Sequence, residues 1–293
     1  MVDHVFVIHR HEMTDIEWEL LAPLIPSAGR GRPRVEGRRV INGMVYKIRT
    51  GVSWRDLPER YGSWKSVYTR FRRYAIDGVF TRALQQIQAR VDATGDIDWL
   101  VQIDSTIVRA HQQAAATGRK GGITGRTNRN DHALGRSRGG LTTKIHLACD
   151  GRGRPLAVLL TPGQRHDGVC ARPLLERIRV PRAGLGRPRC RPDHVIADKA
   201  YSSRGFRAYL RKRGIGHTIP EKSDQKRHRR NRGRRGGRPT AFDSDIYRRR
   251  NTVERCFNQL KGFRGIATRY EKTATSYEAA VTLASLLLWA RSI

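Results

Sequence analysis

Between Val40 and Thr50 the apolar residues Val40, Ile41, Met44, Val45 and Ile48 recur at intervals of three and four, the spacing of one helical face, and Gly51 stops the run. Ser63 then stands at an N-cap position ahead of a second such run. There Trp64, Val67, Tyr68, Phe71, Tyr74 and Ala75 form the apolar stripe, and Lys65, Ser66, Thr69, Arg70, Arg72 and Arg73 form the polar one. Upstream, Thr14 is placed to cap a helix through IEWELLAPLI that Pro26 ends; downstream, FTRALQQIQARVDA makes a further helix closing at Gly95. Residues 13–94 therefore read as a small helical domain with a helix-turn-helix pattern, whose second amphipathic helix offers a basic outer face to a DNA groove. Residues 1–12 lack this order and are expected to be a disordered extension, with Met13 as the natural start.

From residue 95 the period shortens. WLVQIDSTIVRAHQ is the short apolar run of a buried strand, with Asp104 inside it. LTTKIHLACD and PLAVLLTPG flank the Asp150-Gly151 turn as a hairpin, and HDGVCARPLLERI follows as a helix. HVIAD is a strand ending on Asp198; KAYSSRGFRAYLRKRG starts a helix, and IGHTIPEK is another brief strand. The segment from Tyr247 to Lys261, YRRRNTVERCFNQLK, reads as one helix. At about 100° per residue it projects Tyr247, Arg250, Glu254 and Lys261 within an arc of roughly 60°. Ile246, Val253, Phe257 and Leu260 make the apolar stripe beside them, and Gly262 is the stop signal. On its own this is a solvated basic helix with an Arg250–Glu254 ion pair at i,i+4. The apolar run from Ala279 to Ala290 closes the chain as a buried helix, so residues 95–293 form an α/β domain.

Charge changes the picture more than composition does. Lys and Arg number 58 against 26 Asp and Glu, a net +32 that calls for a polyanionic partner, with nucleic acid ahead of an anionic membrane. The longest apolar run falls short of the roughly 20 residues needed to span a bilayer, and the first twelve residues lack a signal-peptide core. A cytoplasmic, nucleoid-associated protein is expected. Cys149, Cys170, Cys190 and Cys256 are far apart and form neither a zinc pattern nor a disulfide framework. Two Gly- and Arg-rich stretches, 117–140 and 225–239, lack apolar periodicity and are expected to be disordered basic loops. Arg30-Gly31-Arg32-Pro33 resembles a minor-groove hook, but Arg152-Gly153-Arg154-Pro155 repeats the tetrapeptide at a hairpin turn, so a turn with solvating arginines is the favoured reading.

Asp104, Asp198 and Glu254 each have a local explanation: a backbone amide, a helix cap, an ion pair. One function accounts for all three, namely carboxylates converging on divalent cations that act on phosphodiesters. The order strand Asp104, hairpin, helix, strand Asp198, helix, strand, helix Glu254 resembles the ribonuclease H-like fold of DDE transposases. Tyr247, Arg250, Glu254 and Lys261 match the Y-R-E-K signature of bacterial insertion-sequence transposases. WELLAPLIP, RRVINGMVYKIRTGVSWRDLP and GSWKSVYTRFRRY resemble the DNA-binding front of one branch of those elements, and VERCFNQLKGFRGIATRYEK resembles its tail. The resemblance implies that Asp104, Asp198 and Glu254 are catalytic and hold Mg²⁺ or Mn²⁺, as two ions. It also implies that Tyr247, Arg250 and Lys261 contact or orient DNA. Lys65, Arg70 and Arg73 are the expected groove contacts, double-stranded DNA is the partner, and pairing of two element ends implies a homodimer or higher. A DNA-binding protein without catalysis and a ribonuclease H-like nuclease are the competing readings.

Overall fold

A computed structural model describes residues 9–26, 35–115, 132–137 and 140–293. Arg30-Gly31-Arg32-Pro33 and most of the 117–140 stretch lie outside these residues. The chain opens with helices α1 (Asp15–Leu21), α2 (Gly37–Thr50), α3 (Trp64–Ile76) and α4 (Val79–Ala93). Thr14 and Glu17 cap α1 reciprocally, each side chain accepting the other residue's N–H. A 3₁₀ turn, Ala22–Leu24, replaces the expected continuation toward Pro26. The apolar face read for α2 is buried throughout, and Gly51 ends the helix in the left-handed conformation at φ 76°. Ser63 occupies the N-cap of α3 without a side-chain bond. Glu12 is buried: its carbonyl accepts from Arg49 at 2.8 Å and its carboxylate pairs with Arg60 at 3.4 Å. The expected extension is therefore packed at its end.

The second part comprises β1 (Leu100–Ala110), α5 (Gln112–Ala115), β2 (Gly135–Ser137), β3 (Gly140–Cys149), β4 (Pro155–Pro162), α6 (Asp167–Glu176), β5 (His194–Ala197), α7 (Arg204–Lys212) and β6 (Gly216–Thr218). It continues through α8 (Ser223–Asn231), α9 (Ser244–Arg248), α10 (Asn251–Lys261), α11 (Arg264–Ala267), β7 (Thr268–Arg269) and α12 (Ala274–Ala290). β1 is central, antiparallel to β3, which pairs in turn with β4; on its other edge β1 runs parallel to β5, and β5 to β6. This is the ribonuclease H-like mixed sheet with flanking helices. Period-two alternation divides β1. Gln102, Asp104 and Thr106 meet α10 on one face, whereas Ser105 meets α6 on the other.

Three expectations are corrected. Tyr247–Lys261 is two helices, α9 and α10, joined by i→i−3 bonds from Arg249 and Arg250. At the start of α10 the buried side chain of Gln102 accepts from the Val253 amide at 3.0 Å, satisfying an N-terminal donor from the sheet. The 225–239 stretch is helical over α8, pinned by Gln225 to Ser202 and by the Arg229–Glu221 ion pair. Arg154 is neither a hook nor a solvated turn residue. It is buried, bonds Asp150 and Asp96, and lies 4.5 Å from the ring centre of Trp289.

Candidate active site

The parallel pairing of β1 and β5 sets Ile103 beside Ala197, so the next residues on each strand, Asp104 and Asp198, emerge side by side. Helix α10 packs along β1, its Val253 amide at Gln102 and its Lys261 at Thr106, and carries Glu254 in its first turn. The Arg250 guanidinium stands between two of the three acids: Nη1 donates to Asp104 Oδ2 at 2.7 Å and Nη2 to Glu254 Oε1 at 2.6 Å. The local Arg250–Glu254 pair read from the helix is thus present, and Arg250 also reaches 146 residues back in the chain. Asp104 Oδ1 accepts the Ser105 amide at 2.8 Å, and Asp198 Oδ1 accepts the Ala200 amide at 2.8 Å, capping a short 3₁₀ turn.

Burial pushes the Asp104 carboxyl above the ordinary range; the Ser105 amide and Arg250 oppose this, and Asp198 reinforces it. Burial also raises the Tyr247 phenol, against the lowering effect of Arg250 and together with Asp198, Asp104 and Glu254. Tyr247 therefore shares the site although it belongs to α9. Lys261 Nζ donates to Thr106 Oγ1 at 2.6 Å, two residues beyond Asp104 on the same face of β1. On α3, Lys65 and Arg73 are exposed, while Arg70 is half-buried and donates to the Val35 carbonyl at 3.2 Å.

The donors at this site are carboxylate oxygens, the hard ligands that Mg²⁺ and Mn²⁺ prefer. Among the described residues, however, no group of three or more His, Cys, Asp or Glu side chains is gathered for one ion. A guanidinium cation bridges Asp104 and Glu254 instead, so a divalent ion fits the donor chemistry on condition that Arg250 releases Asp104.

Sequence reasoning missed the opposite face of β1. Asp167, the first residue of α6, accepts from Ser105 Oγ at 2.7 Å and from Lys144 Nζ at 2.9 Å. His146 Nδ1 lies 3.9 Å from the same carboxylate oxygen, and its Nε2 meets Thr161 Oγ1 at 2.8 Å. Burial drives the His146 imidazole down to about 4. Tyr201, buried beneath the acids, has its phenol raised by burial and then by Asp104, Asp167 and Asp198. In the sequence Asp167 carried only the signal of an acid in a helix's first turn, which is commonplace.

The family model described as "Putative transposase of IS4/5 family" matches residues 13–84. A relative from Brucella ovis, "Putative transposase for insertion sequence element IS6501", is 34% identical over 151 residues, 52% of this chain and 100% of its own length. One from Burkholderia cepacia, "Putative transposase for insertion sequence element IS402", is 31% identical over 164 residues, covering 56% of this chain and 69% of the relative. An uncharacterized protein from Sinorhizobium fredii is 39% identical over 113 residues, 38% of this chain and 86% of its own. Among solved structures, a pre-cleavage Mos1 transpososome aligns over 91% of this chain and 81% of its own at 10% identity, with a TM-score of 0.23. The model described as "Transposase DDE domain" matches residues 97–289, most of the chain, and the protein belongs to the DDE transposase family.

Proposed function

We propose that the protein binds the terminal inverted repeats of an insertion sequence, cleaves the element ends and joins them to target DNA by phosphoryl transfer. The observation that carries this reading is the juxtaposition of Asp104 and Asp198 on neighbouring parallel strands, with Glu254 tied to Asp104 through one guanidinium. Asp104, Asp198 and Glu254 are the residues that would hold two Mg²⁺ or Mn²⁺ ions. When bound, the ions supply positive charge at the attacking and leaving oxygens of the phosphodiester. Arg250 neutralises the acids before loading and, once released from Asp104, faces the strand. Lys261 and Tyr247, at the rim, orient flanking phosphates. Lys65, Arg70 and Arg73 on α3 contact element-end DNA, with the basic stretches 117–140 and 225–239 adding contacts to phosphates of any sequence. Two element ends are brought together by a homodimer or higher assembly. The Y-R-E-K branch is the finer family assignment. No helix among the described residues is long and apolar enough to cross a membrane, and we place the protein at the nucleoid.

A plasmid excision assay tests this reading. Wild-type protein is expected to excise the element in Mg²⁺ and to stop with a chelator, and Asp104→Ala and Glu254→Gln are expected to abolish excision while retaining DNA binding. Excision by both variants at the wild-type level rules out the acid site. Binding without excision in the wild type favours the second reading, a DNA-binding protein without catalysis, which the guanidinium bridge across the acids would then describe as a resting structure.

A further inference from the structure

A second basic feature lies away from the acids, where the start of the described chain meets its end. A cavity of about 630 Å³ is lined by Arg10, His11, Arg49, Gln259, Arg264 and Arg291 among others, within the range of roughly 300–1,000 Å³ typical of ligand clefts. Among the described residues no carboxylate lines it. One acid behind the wall, Glu17, serves two of the four arginines, at 2.7 Å from Arg291 Nε and 3.8 Å from Arg49 Nη2. Arg10 and Arg264 are exposed. Arg49 is pushed down by burial and then by Arg291, against the pull of Glu17. His11 has a positive φ of 74°, uncommon outside glycine, and its ring packs edge-on against Tyr46. Burial, then Arg10, Arg49 and Arg264, depress its imidazole.

Four guanidinium groups around one cavity, two of them sharing a single carboxylate, match a bound phosphate. We propose that this pocket binds a backbone phosphate of double-stranded DNA, outside the strand held at the acidic site. The proposal rests on the transposase reading for the identity of the polyanion. Gln259 lies roughly 8 Å along α10 from Glu254 and about 140° round it, so the pocket and the acids take separate stretches of the duplex. Arg10 and His11 precede the region matched by the N-terminal family model and Arg291 follows the region matched by the catalytic one, so neither match covers the whole site.

The test uses the full chain carrying Asp104→Ala, so that DNA remains uncut, with the His11 ring resonances followed by NMR through a pH titration. His11→Gln identifies the signals. A duplex bearing the element end is expected to raise the His11 pKa, because a phosphate offsets Arg10, Arg49 and Arg264. Arg10→Gln with Arg264→Gln is expected to weaken duplex affinity several-fold and to lower the slope of log affinity against log salt by about one. Arg264→Lys is expected to recover most of the loss, which a purely structural role would not show. A His11 titration and salt slope unchanged by these steps overturn the proposal. A response to inorganic phosphate but not to the duplex also overturns it, marking a small-anion site. A duplex response in a protein whose wild type fails the excision assay sinks the catalytic reading and leaves the pocket standing.

Discussion

At the scale of single residues, Asp104 and Asp167 lie on opposite faces of one strand and are tuned in opposite directions. Asp104 is raised above its ordinary value, chiefly by burial, so in the metal-free protein its contribution to stability is full below the unfolded value of about 3.9 and is lost as pH rises through the folded value. Asp167 is also penalised by burial, but its bonds from Lys144 and Ser105 outweigh that and lower it. Its contribution is present above the unfolded value and is lost as pH falls through the lower folded one. Urea midpoints measured from about pH 3 to 7 in Asp104→Asn and Asp167→Asn should therefore depart from wild type with opposite pH slopes. Slopes of the same sign would show that the two environments are not distinct. Asp167→Ala should cost about 2 kcal/mol at neutral pH, because Lys144 Nζ keeps only the Arg165 carbonyl, at 2.8 Å, as partner.

At the scale of elements, legibility followed from whether an element's partner was local. Helices α2, α3 and α4 were readable because an amphipathic stripe declares its buried face, and the β3–β4 hairpin because Asp150-Gly151 declares its turn. The break between α9 and α10 was not readable. The start of α10 is met by Gln102, 151 residues away, whose side chain accepts the Val253 amide. Glu254 and Asp104 were legible as acids; the cation between them was not, since one i,i+4 pair in sequence gives no hint of a second carboxylate arriving on a strand. Helix α8 fails as a periodic pattern because it buries nothing. Its hold is Gln225, which receives the Ser202 hydroxyl at 2.7 Å and donates to the Ser202 carbonyl at 2.9 Å. Gln225→Ala should therefore speed amide exchange over Ser223–Asn231 with little change in global stability. Removing 225–239, which carries eight Lys and Arg, should weaken DNA affinity and flatten its salt dependence while the fold persists. An unchanged salt slope would show that these side chains do not meet DNA.

At the scale of the whole molecule, the two family matches fall on separate stretches, yet one apolar core runs through both. Helix α12 packs on α2, α3, α4 and β4, so the closing helix is wall to the front helices and to the sheet alike. Lys47 of α2 and Glu271, beyond β7, form an ion pair at 2.8 Å with side chains 2% and 4% exposed, and the ammonium lies 5.2 Å from the Tyr270 ring centre. A buried pair joins its two elements without contributing much net stability, because desolvation consumes most of the Coulomb gain; removing one partner strands the other's charge. Lys47→Met should accordingly cost about 3–5 kcal/mol, and Lys47→Met with Glu271→Leu should recover most of that loss. Calorimetry of each variant should show one transition, since the shared core makes the front helices and the sheet a single cooperative unit. A separate low-temperature transition for the helices would mean that the two stretches fold independently, and a double variant as unstable as the single one would show that the stranded partner is not the source of the loss.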